Sequence, residues 1–192
     1  MPEEELSRIR QPIQKAINIA EGLSRDKAIQ KKLKMVDVEA IVKRLIEEIE
    51  PANPSVNFVI DCPKPRLALC SSRDFERVFY NIISNAIESR NQSPLSVRIS
   101  ISKPLKPDQT LLTVEDNGRG ISSENLGKVF AKNFSAGKDA GTGLGLYHAK
   151  LKMDEWQGSI SMDSKLGIGS KVSLLFSGCD ADEGIEPSKE TV

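Results

Sequence analysis

The stretch DNGRG, residues 116–120, follows the apolar run LLTV, and further along the chain comes GTGLGL, residues 141–146. These two segments hold five of the chain's 13 glycines. Glycine has no Cβ, so the backbone at such positions allows close approach of a flat or charged ligand. The carboxylate of Asp116 at the end of a strand must find hydrogen-bond donors once it is buried. The two segments therefore indicate a ligand that offers a donor beside glycine-rich loops.

An adenine base is a ligand that fits Asp116. Its exocyclic amine donates a hydrogen bond to a carboxylate, whereas guanine presents a carbonyl oxygen at the equivalent ring position and is repelled. We therefore expect Asp116 to recognise adenine, with Gly118 and Gly120 letting the main chain lie against the ring. A DNG hairpin turn with a left-handed glycine is the alternative explanation of the same residues.

GTGLGL opens a helix predicted over residues 144–155. Backbone amides at a helix N-terminus attract phosphate, and Lys138 just before it adds a positive charge. A dinucleotide-binding fingerprint would need glycine in place of Leu146. A P-loop would need glycine in place of Lys132, and serine or threonine in place of Asp139. The sequence therefore predicts a phosphate-binding loop of another type.

The apolar stripe of residues 74–89 predicts a helix that carries two asparagines on one side. Asn81 and Asn85 are four residues apart, and Glu88 shares their side of the helix. Two carboxamide oxygens suit a hard cation such as Mg²⁺, whose charge phosphate balances. A pair of solvated asparagines is the alternative.

Alternating apolar and polar residues predict the strands. LSVRISI (95–101) and LLTVED (111–116) form an expected hairpin, NFVIDC and RLALC form two further strands, and SISMDS and KVSLLF pair across the turn GIGS (167–170). Ser170 in that turn is expected to support the contact between carboxylate and adenine by a hydrogen bond or a bridging water, with a plain hairpin as the alternative. The predicted fold is a two-layer α/β sandwich, a mixed, mostly antiparallel sheet covered on one face by helices.

Composition narrows the possible partners. Lysine plus arginine equals aspartate plus glutamate, 27 each, so no net charge draws the chain to nucleic acid or an anionic membrane. No apolar run approaches the ~20 residues that span a bilayer. The 3 cysteines have no metal-site spacing and fit reduced thiols. We expect a cytoplasmic protein that contacts neither nucleic acid nor membrane.

Three regions are predicted along the chain: a helical segment over 1–36, a nucleotide-binding domain over 37–177 and an acidic, disordered tail over 178–192. The first segment carries a short heptad seam, which favours a dimerising helix; an amphipathic helix packed on its own domain is the alternative. The seam residues are Leu6, Ile9, Ile13, Ala16, Ala20 and Leu23.

The order of these motifs resembles the ATP-binding domain of sensor histidine kinases. NIISNAIES (81–89) is similar to its N-box, DNGRG to its G1 box, GTGLGL to its G2 box and GIGS to its G3 turn, and Phe130 and Phe134 are similar to the F-box phenylalanines. The resemblance covers roughly residues 37–176, with every motif in the family order. The wider family includes gyrase, the chaperone Hsp90 and the MutL mismatch-repair ATPases. Asn81 favours the kinase branch, because gyrase-like ATPases carry a general-base glutamate there.

The resemblance implies a Bergerat fold that binds ATP and Mg²⁺. It implies that Asn85 with Asn81 contacts Mg²⁺ and phosphate, that Asp116 reads adenine, and that residues 131–141 form a short lid whose Lys138 meets the terminal phosphates. The residues expected to bind nucleotide are Asn81, Asn85, Glu88, Asp116, Gly118, Gly120, Ile121, Phe134, Lys138, Gly141, Thr142, Gly143, Leu144, Gly145, Leu146 and Ser170.

The histidine content departs from the family pattern. A histidine kinase needs an acceptor histidine on a dimeric helical bundle, and the single histidine here, His148, lies behind GTGLGL. SRIRQPI (7–13) resembles an acceptor box with Ser7 in the histidine's place. We therefore expect residues 3–34 to be the second bundle helix and the chain to be a fragment whose acceptor histidine lies outside it.

The expected partners are a histidine-bearing bundle helix, a response regulator receiver domain and, in the full-length protein, a second copy. Two other functions remain open at this point. One is a serine/threonine kinase of the anti-sigma-factor type, which shares these boxes. The other is a non-enzymatic module in which nucleotide binding stabilises a dimer or a docking surface.

Overall fold

The computed structural model describes residues 33–91, 94–104, 106, 108–134 and 143–180. Most of the predicted helical segment lies outside the described residues, and so do most of the predicted lid, most of the acidic tail and the three expected site residues Lys138, Gly141 and Thr142. No helix in the described ranges is long and apolar enough to cross a membrane.

The described chain forms seven strands, four α-helices and one 3-10 turn. In order they are β1 (Lys34–Asp37), α1 (Val38–Ile49), a 3-10 turn (Glu50–Ala52), β2 (Val56–Asp61), β3 (Arg66–Cys70), α2 (Ser72–Glu88), β4 (Leu95–Ser102), β5 (Gln109–Asp116), α3 (Ser123–Leu126), α4 (Gly145–Glu155), β6 (Ser159–Lys165) and β7 (Gly169–Asp180).

The two long N-terminal helices begin at side-chain caps. Asp37 accepts a hydrogen bond from the backbone N–H of Ala40 at 3.0 Å, and Ser71 caps α2 by accepting from the N–H of Asp74 at 3.5 Å. Each cap satisfies a backbone donor that has no partner inside the helix.

The strands form one mixed sheet in the order β1-β3-β7-β5-β4-β2, with β6 also paired to β7. Every pairing is antiparallel except that of β2 with β4. The predicted hairpin of β4 and β5 is confirmed, with Ile99 opposite Val114. The expected two-layer α/β sandwich is therefore confirmed as the fold.

One face of the sheet packs against the helices. Helix α2 contacts α4 and strands β4 and β5, and α1 packs against α2 and β3. Phe75 on α2 meets Phe176 on β7 edge to face at 5.9 Å between ring centroids, and Trp156 stacks on Phe176 at 6.0 Å. All three side chains are at most 2 % exposed. Burying each such ring contributes about 2–3 kcal/mol, so this cluster fixes the distance between α2 and the sheet.

The other face of the sheet carries a row of exposed charges of alternating sign. Arg98, Glu115, Lys171 and Asp163 lie in register across β4, β5, β7 and β6. Opposite charges on facing strand positions stabilise a sheet by about 0.2–1 kcal/mol for each pair. The fully buried apolar residues of β4 and β5 lie on the helical side, where the pocket opens.

The sheet extends further at both ends than the sequence indicated. Residues 34–36, expected to be helical, belong to β1, where Val36 pairs with Ala68 of β3. Residues 178–180, expected in the disordered tail, belong to β7 and pair with β3. Gly178 allows this pairing, because a Cβ there would lie 2.2 Å from the carbonyl oxygen of Leu67.

A buried arginine holds this end of β7. Arg66 is 1 % exposed; its Nε donates to Thr110 Oγ1 at 3.2 Å, and its Nη2 donates to the carbonyl of Gln109 at 2.7 Å. Its Nη1 forms an ion pair with Asp180, which also accepts from Lys103 Nζ at 3.1 Å. The ionic contacts of Asp180 therefore hold the last residues of β7 in the sheet. Neither the apolar periodicity nor the acidic composition of the sequence predicts these contacts.

Removing the charge of Asp180 should destabilise the fold in a pH-dependent way. Lys103 and Arg66 lower the pKa of Asp180 below 3.8, so its ionised form stabilises the folded state. That contribution is present above the unfolded pKa and is lost as the pH falls through the lowered, folded pKa. We expect Asp180→Asn to melt several degrees lower than the wild type at pH 7, with the gap closing as the pH falls below about 4.

Thermal melts followed by circular dichroism between pH 3 and pH 7 measure this difference. The exposed strand residue Asp61 provides a control, and Asp61→Asn should melt close to the wild type. A gap between Asp180→Asn and wild type that stays constant over the whole pH range would contradict the assignment.

Candidate functional site

A pocket of about 280 Å³ opens between α2, the start of α4 and the adjoining strands. Of the residues expected to bind nucleotide, Gly118 and Leu144 are described but do not line it, and Lys138, Gly141 and Thr142 lie outside the described residues. The others line the pocket: Asn81, Asn85, Glu88, Asp116, Gly120, Ile121, Phe134, Gly143, Gly145, Leu146 and Ser170.

Asp116, at the end of β5, is half-buried and held by three hydrogen bonds. Its Oδ1 accepts from the hydroxyl of Ser89 at 2.9 Å and from the N–H of Gly118 at 2.8 Å, and the backbone N–H of Ser170 also donates to the carboxylate. Burial raises the pKa of Asp116 above 3.8, and these three bonds oppose the rise. An ionised carboxylate has about four acceptor sites, so with three bonds made it keeps acceptor capacity for a ligand in the pocket.

Ser89 joins the end of α2 to the DNGRG loop. Its Oγ carries one hydrogen, which Asp116 Oδ1 at 2.9 Å shares with the carbonyl oxygen of Ala86 at 2.7 Å, and its own carbonyl accepts from the N–H of Arg119 at 2.8 Å. A Cβ on Gly118 would lie 1.9 Å from Ser89 Oγ. Gly118 thus makes room for Ser89 rather than for the face of a bound ring.

The DNGRG loop is also fixed from the side of the GIGS turn. Gly120 has φ +65°, and a Cβ there would lie 2.1 Å from the carbonyl oxygen of Lys165. The N–H of Gly167 donates to the carbonyl of Arg119 at 2.7 Å. The alternative of a DNG hairpin is wrong, because β5 pairs with β4 and β7 while the chain after Gly120 leads to α3.

Ser170 is both part of a hairpin and part of the pocket. It pairs directly with Asp116 across β5 and β7, and its side chain is 7 % exposed. It reaches Asp116 through its backbone N–H, while its hydroxyl lies 3.0 Å from Ser164 Oγ. The hydroxyl that touches Asp116 is that of Ser89, which the sequence interpretation had not selected.

The other end of the pocket is formed by two helices. Asn81, Asn85 and Glu88 line it from α2. Helix α4 begins at Gly145, where a Cβ would lie 3.5 Å from that of Asn81, and no acidic residue occupies its first turn. The free amides at the start of α4 therefore lie beside the asparagines, an arrangement that favours an anion.

Gly143 lies directly against the backbone of residues 133 and 134. It has φ +63°, and a Cβ there would lie 2.5–2.6 Å from the backbone of Asn133 and Phe134. Of the two F-box phenylalanines, Phe134 lines the pocket and Phe130 is half-buried outside it. Val129, which is 4 % exposed, lines the pocket in addition to Phe134.

Several other lining residues were not selected from the sequence. Arg119 is polar, and Val114, Met162 and Val172 supply an apolar wall on the sheet. Strand alternation could have identified Val114 and Val172, since each lies two positions from a predicted ligand contact on the same face. Residue periodicity could not have identified Ser89, because it is the C-cap of α2 and lies outside any repeating pattern.

His148 lies outside the pocket. It lines a separate groove between α2 and α4 together with Asp74, Lys152 and Glu155, and its ring centroid is 5.8 Å from that of Tyr147. In the part of the chain that the structure describes, no cluster of three or more histidine, cysteine, aspartate or glutamate side chains could hold a metal ion. The pocket offers the side-chain oxygens of Asn81, Asn85 and Glu88 to a cation.

Replacing Asp116 by asparagine should stabilise the ligand-free fold at neutral pH. Because burial raises the pKa of Asp116, its ionised form costs folding free energy. This cost is absent below the unfolded pKa and reaches its full size as the pH rises through the raised, folded pKa. The amide oxygen of asparagine can still accept from Ser89 and Gly118.

We therefore expect Asp116→Asn to melt at or above the wild-type temperature at pH 7, with the difference vanishing near pH 3. Differential scanning calorimetry of the ligand-free chain measures it. Asp61→Asn, the same substitution at an exposed position on β2, should shift the midpoint little. A clear loss of stability in Asp116→Asn at pH 7 would show that the hydrogen bonds to the charge outweigh its desolvation.

Comparison with known proteins gives a consistent family. Residues 70–177 match the family described as histidine kinase-, DNA gyrase B- and HSP90-like ATPase. The chain is 36% identical over 97 residues to a probable C4-dicarboxylate sensor kinase of Bacillus subtilis, covering 50% of this chain and 18% of the relative. It is 30% identical over 177 residues to the sensor protein SrrB of Staphylococcus aureus, covering 87% of this chain and 29% of SrrB.

Solved structures share the fold. A mycobacterial sensor histidine kinase, MprB, superposes with a TM-score of 0.69 at 20% identity, covering 77% of this chain and 99% of that one. The catalytic domain of the histidine kinase ThkA superposes with a TM-score of 0.64 at 19% identity, covering 76% of this chain and 97% of the other. The family match, the pocket and the fold agree: the chain belongs to the histidine kinase-, DNA gyrase B- and HSP90-like ATPase family, and within it is an ATP-binding catalytic domain of the sensor histidine kinase type.

Proposed function

We propose that this chain binds ATP with Mg²⁺ and transfers the γ-phosphoryl group to a histidine outside the chain, as part of a two-component sensor kinase. The observation that carries the proposal is the position of Asp116, a desolvated carboxylate with a free acceptor at one end of the pocket, opposite the N-terminus of α4 at the other. One end suits an amine-bearing base and the other suits a polyphosphate.

The base lies against the sheet in this proposal. Asp116 accepts a hydrogen bond from the exocyclic amine of adenine, while Val114, Met162 and Val172 contact the ring. The Oδ1 bonds from Ser89 and Gly118 fix the carboxylate before the ligand arrives, so little reorganisation accompanies binding. Ile121 and Gly120 complete the base end of the pocket.

The phosphates lie between α2 and α4. Backbone amides at the start of α4 bind them, and Lys138 of the lid segment 131–141 adds a positive charge in this proposal. Asn85 and Asn81 fit a hard cation because they offer neutral oxygens in a pocket that already contains Glu88. Bound Mg²⁺ supplies charge neutralisation at the transferring phosphoryl group, and the protein's contribution is mainly positioning.

The acceptor is a histidine on another helix. His148 is embedded in α4, where its backbone N–H donates to the carbonyl of Leu144, and it does not line the pocket. The chain spans about a fifth to a third of its sensor kinase relatives, so further domains belong to those proteins. The proposal therefore includes the segment ahead of β1 as a bundle helix, a dimeric full-length protein in the cytoplasm and a response regulator as phosphoryl acceptor downstream.

Asp116→Asn should bind ATP at least about 10-fold more weakly than wild type. The variant loses a hydrogen bond to a charged group, worth about 1.5–3 kcal/mol, and presents an amide donor to the donor amine of adenine. Isothermal calorimetry with ATP and Mg²⁺ measures the affinity, with Glu115→Gln as the charge-matched control expected within about 2-fold of wild type. Unchanged affinity in Asp116→Asn would remove Asp116 from the base-binding site.

The phosphoryl acceptor can be identified with γ-labelled ATP. We expect the chain alone to remain unlabelled and to label a histidine-bearing helical bundle domain mixed with it, in a form that acid removes, because phosphohistidine is acid-labile. Acid-labile label on the chain itself, lost in His148→Gln, would place the acceptor within the chain. Acid-stable label on a serine of a partner would instead indicate the serine kinase alternative.

A further inference from the structure

Ser164 lies behind the base end of the pocket and connects three groups. It stands on β6 directly opposite Ser170 of β7, and it does not itself line the pocket. Its Oγ is 2.8 Å from the backbone nitrogen of Ile121, 2.9 Å from the carbonyl oxygen of Gly169 and 3.0 Å from Ser170 Oγ.

The hydrogens of this network can be assigned by counting donors and acceptors. A serine hydroxyl has one hydrogen and two lone pairs. Ile121 offers only an N–H to Ser164, so that contact uses one lone pair. Gly169 offers only a carbonyl oxygen, so that contact uses the single hydrogen. The contact with Ser170 then uses the second lone pair, which means that Ser170 donates its hydrogen to Ser164.

This assignment fixes what Ser170 presents to the pocket. With its hydrogen directed at Ser164, the Ser170 oxygen keeps only lone pairs for a ligand or a bridging water. Its neighbour Asp116, directly paired with it across β5 and β7, is likewise an acceptor. The pocket adds the charged groups Glu88 and Arg119. On the other side of the sheet, a groove next to Asp116 and Ser170 is lined by the charged residues Arg98, Glu115, Asp163, Lys165 and Lys171.

We infer that Ser164 is a positioning residue for base selectivity: it turns the Ser170 hydroxyl away from the pocket, so that Ser170 and Asp116 together form a pair of acceptors. Such a pair fits the two hydrogens of an exocyclic amine, directly or through a water, and disfavours a 6-carbonyl purine. The inference rests on the proposed ATP binding and adds to it the residue that orients the second acceptor.

The inference predicts a specific change in selectivity. In Ser164→Ala the Ser170 hydroxyl loses its acceptor and is free to rotate and donate into the pocket, where a purine 6-carbonyl can accept. The ratio of the Kd for ITP to the Kd for ATP should therefore fall by about 5- to 10-fold, as expected for about one hydrogen bond. ITP is a suitable probe because it differs from ATP in carrying a 6-carbonyl and a protonated N1.

A double-mutant cycle on that ratio tests the inference. ATP and ITP are titrated by calorimetry, with Mg²⁺, into the wild type, Ser164→Ala, Ser170→Ala and the double variant. Ser164 acts through Ser170, so the double variant should show the same ratio as Ser170→Ala alone. Ser161→Ala, a neighbouring exposed serine on β6, should keep the wild-type ratio.

Two further variants separate selectivity from packing. Ser164→Cys fills the same space with a thiol that accepts hydrogen bonds weakly, and it should lower the ratio as alanine does. Ser164→Thr keeps the hydroxyl and should retain the wild-type ratio. Because each ratio is measured within one variant, a general weakening of the site cancels.

Three results would overturn the inference. They are an equal loss of ATP and ITP affinity in Ser164→Ala and Ser164→Cys, a drop in the ratio that persists when Ser170 is already alanine, and a Ser164→Thr ratio as low as that of alanine. A wild type that binds neither nucleotide would overturn the proposed function itself. If the wild type prefers ATP but the ratio of the Kd for ITP to the Kd for ATP is the same in every Ser164 variant, only the role of Ser164 would be overturned.

Discussion

The structure of the site depends on the cost of keeping one carboxylate away from water. Asp116 is half-buried at a strand end, and burial alone would favour its neutral form. Donors from three separate parts of the chain offset that cost: the hydroxyl of Ser89, the amide of Gly118 and the backbone of Ser170. Burial still raises the pKa of this carboxylate, so its ionised form gains from a ligand that supplies another hydrogen. Selectivity for the base and imperfect stability of the empty fold thus have the same physical origin.

The fold brings these donors together through the register of the sheet. Asp116 lies opposite Ser170 only in the β5–β7 register that buries Val114 and Val172, so a slip by one residue would turn the carboxylate out of the pocket. The far end of β7 is held by the ion pair of Arg66 with Asp180. Glycines then allow close approach where loops cross: a Cβ on Gly169 would lie 1.9 Å from the carbonyl oxygen of Asp116. The glycines near the base end of the pocket allow protein segments to contact each other closely, and they also leave room for a ligand.

Residues with a period or a motif were the ones that the sequence could predict. Alternation in 95–101 and 111–116 gave the correct hairpin, and the four-residue spacing of Asn81 and Asn85 gave their common pocket. What the sequence did not reveal depends on contacts between distant segments. Ser89 and Ser164 are ordinary serines until folding sets them beside Asp116 and Ser170. The strands at 34–37 and 178–180 were missed for a similar reason, because each is specified by pairing with β3 rather than by its own composition.

The central claim is that a single half-buried carboxylate, hydrogen-bonded to protein groups, selects adenine in a pocket whose other end binds phosphate. Direct competition between ATP and GTP for the unmodified chain, followed by calorimetry in the presence of Mg²⁺, tests it most directly. The account predicts that ATP binds and that GTP fails to displace it at equal concentration, because the guanine carbonyl faces the lone pairs of Asp116. Equal displacement by the two nucleotides, or binding of neither, would contradict it.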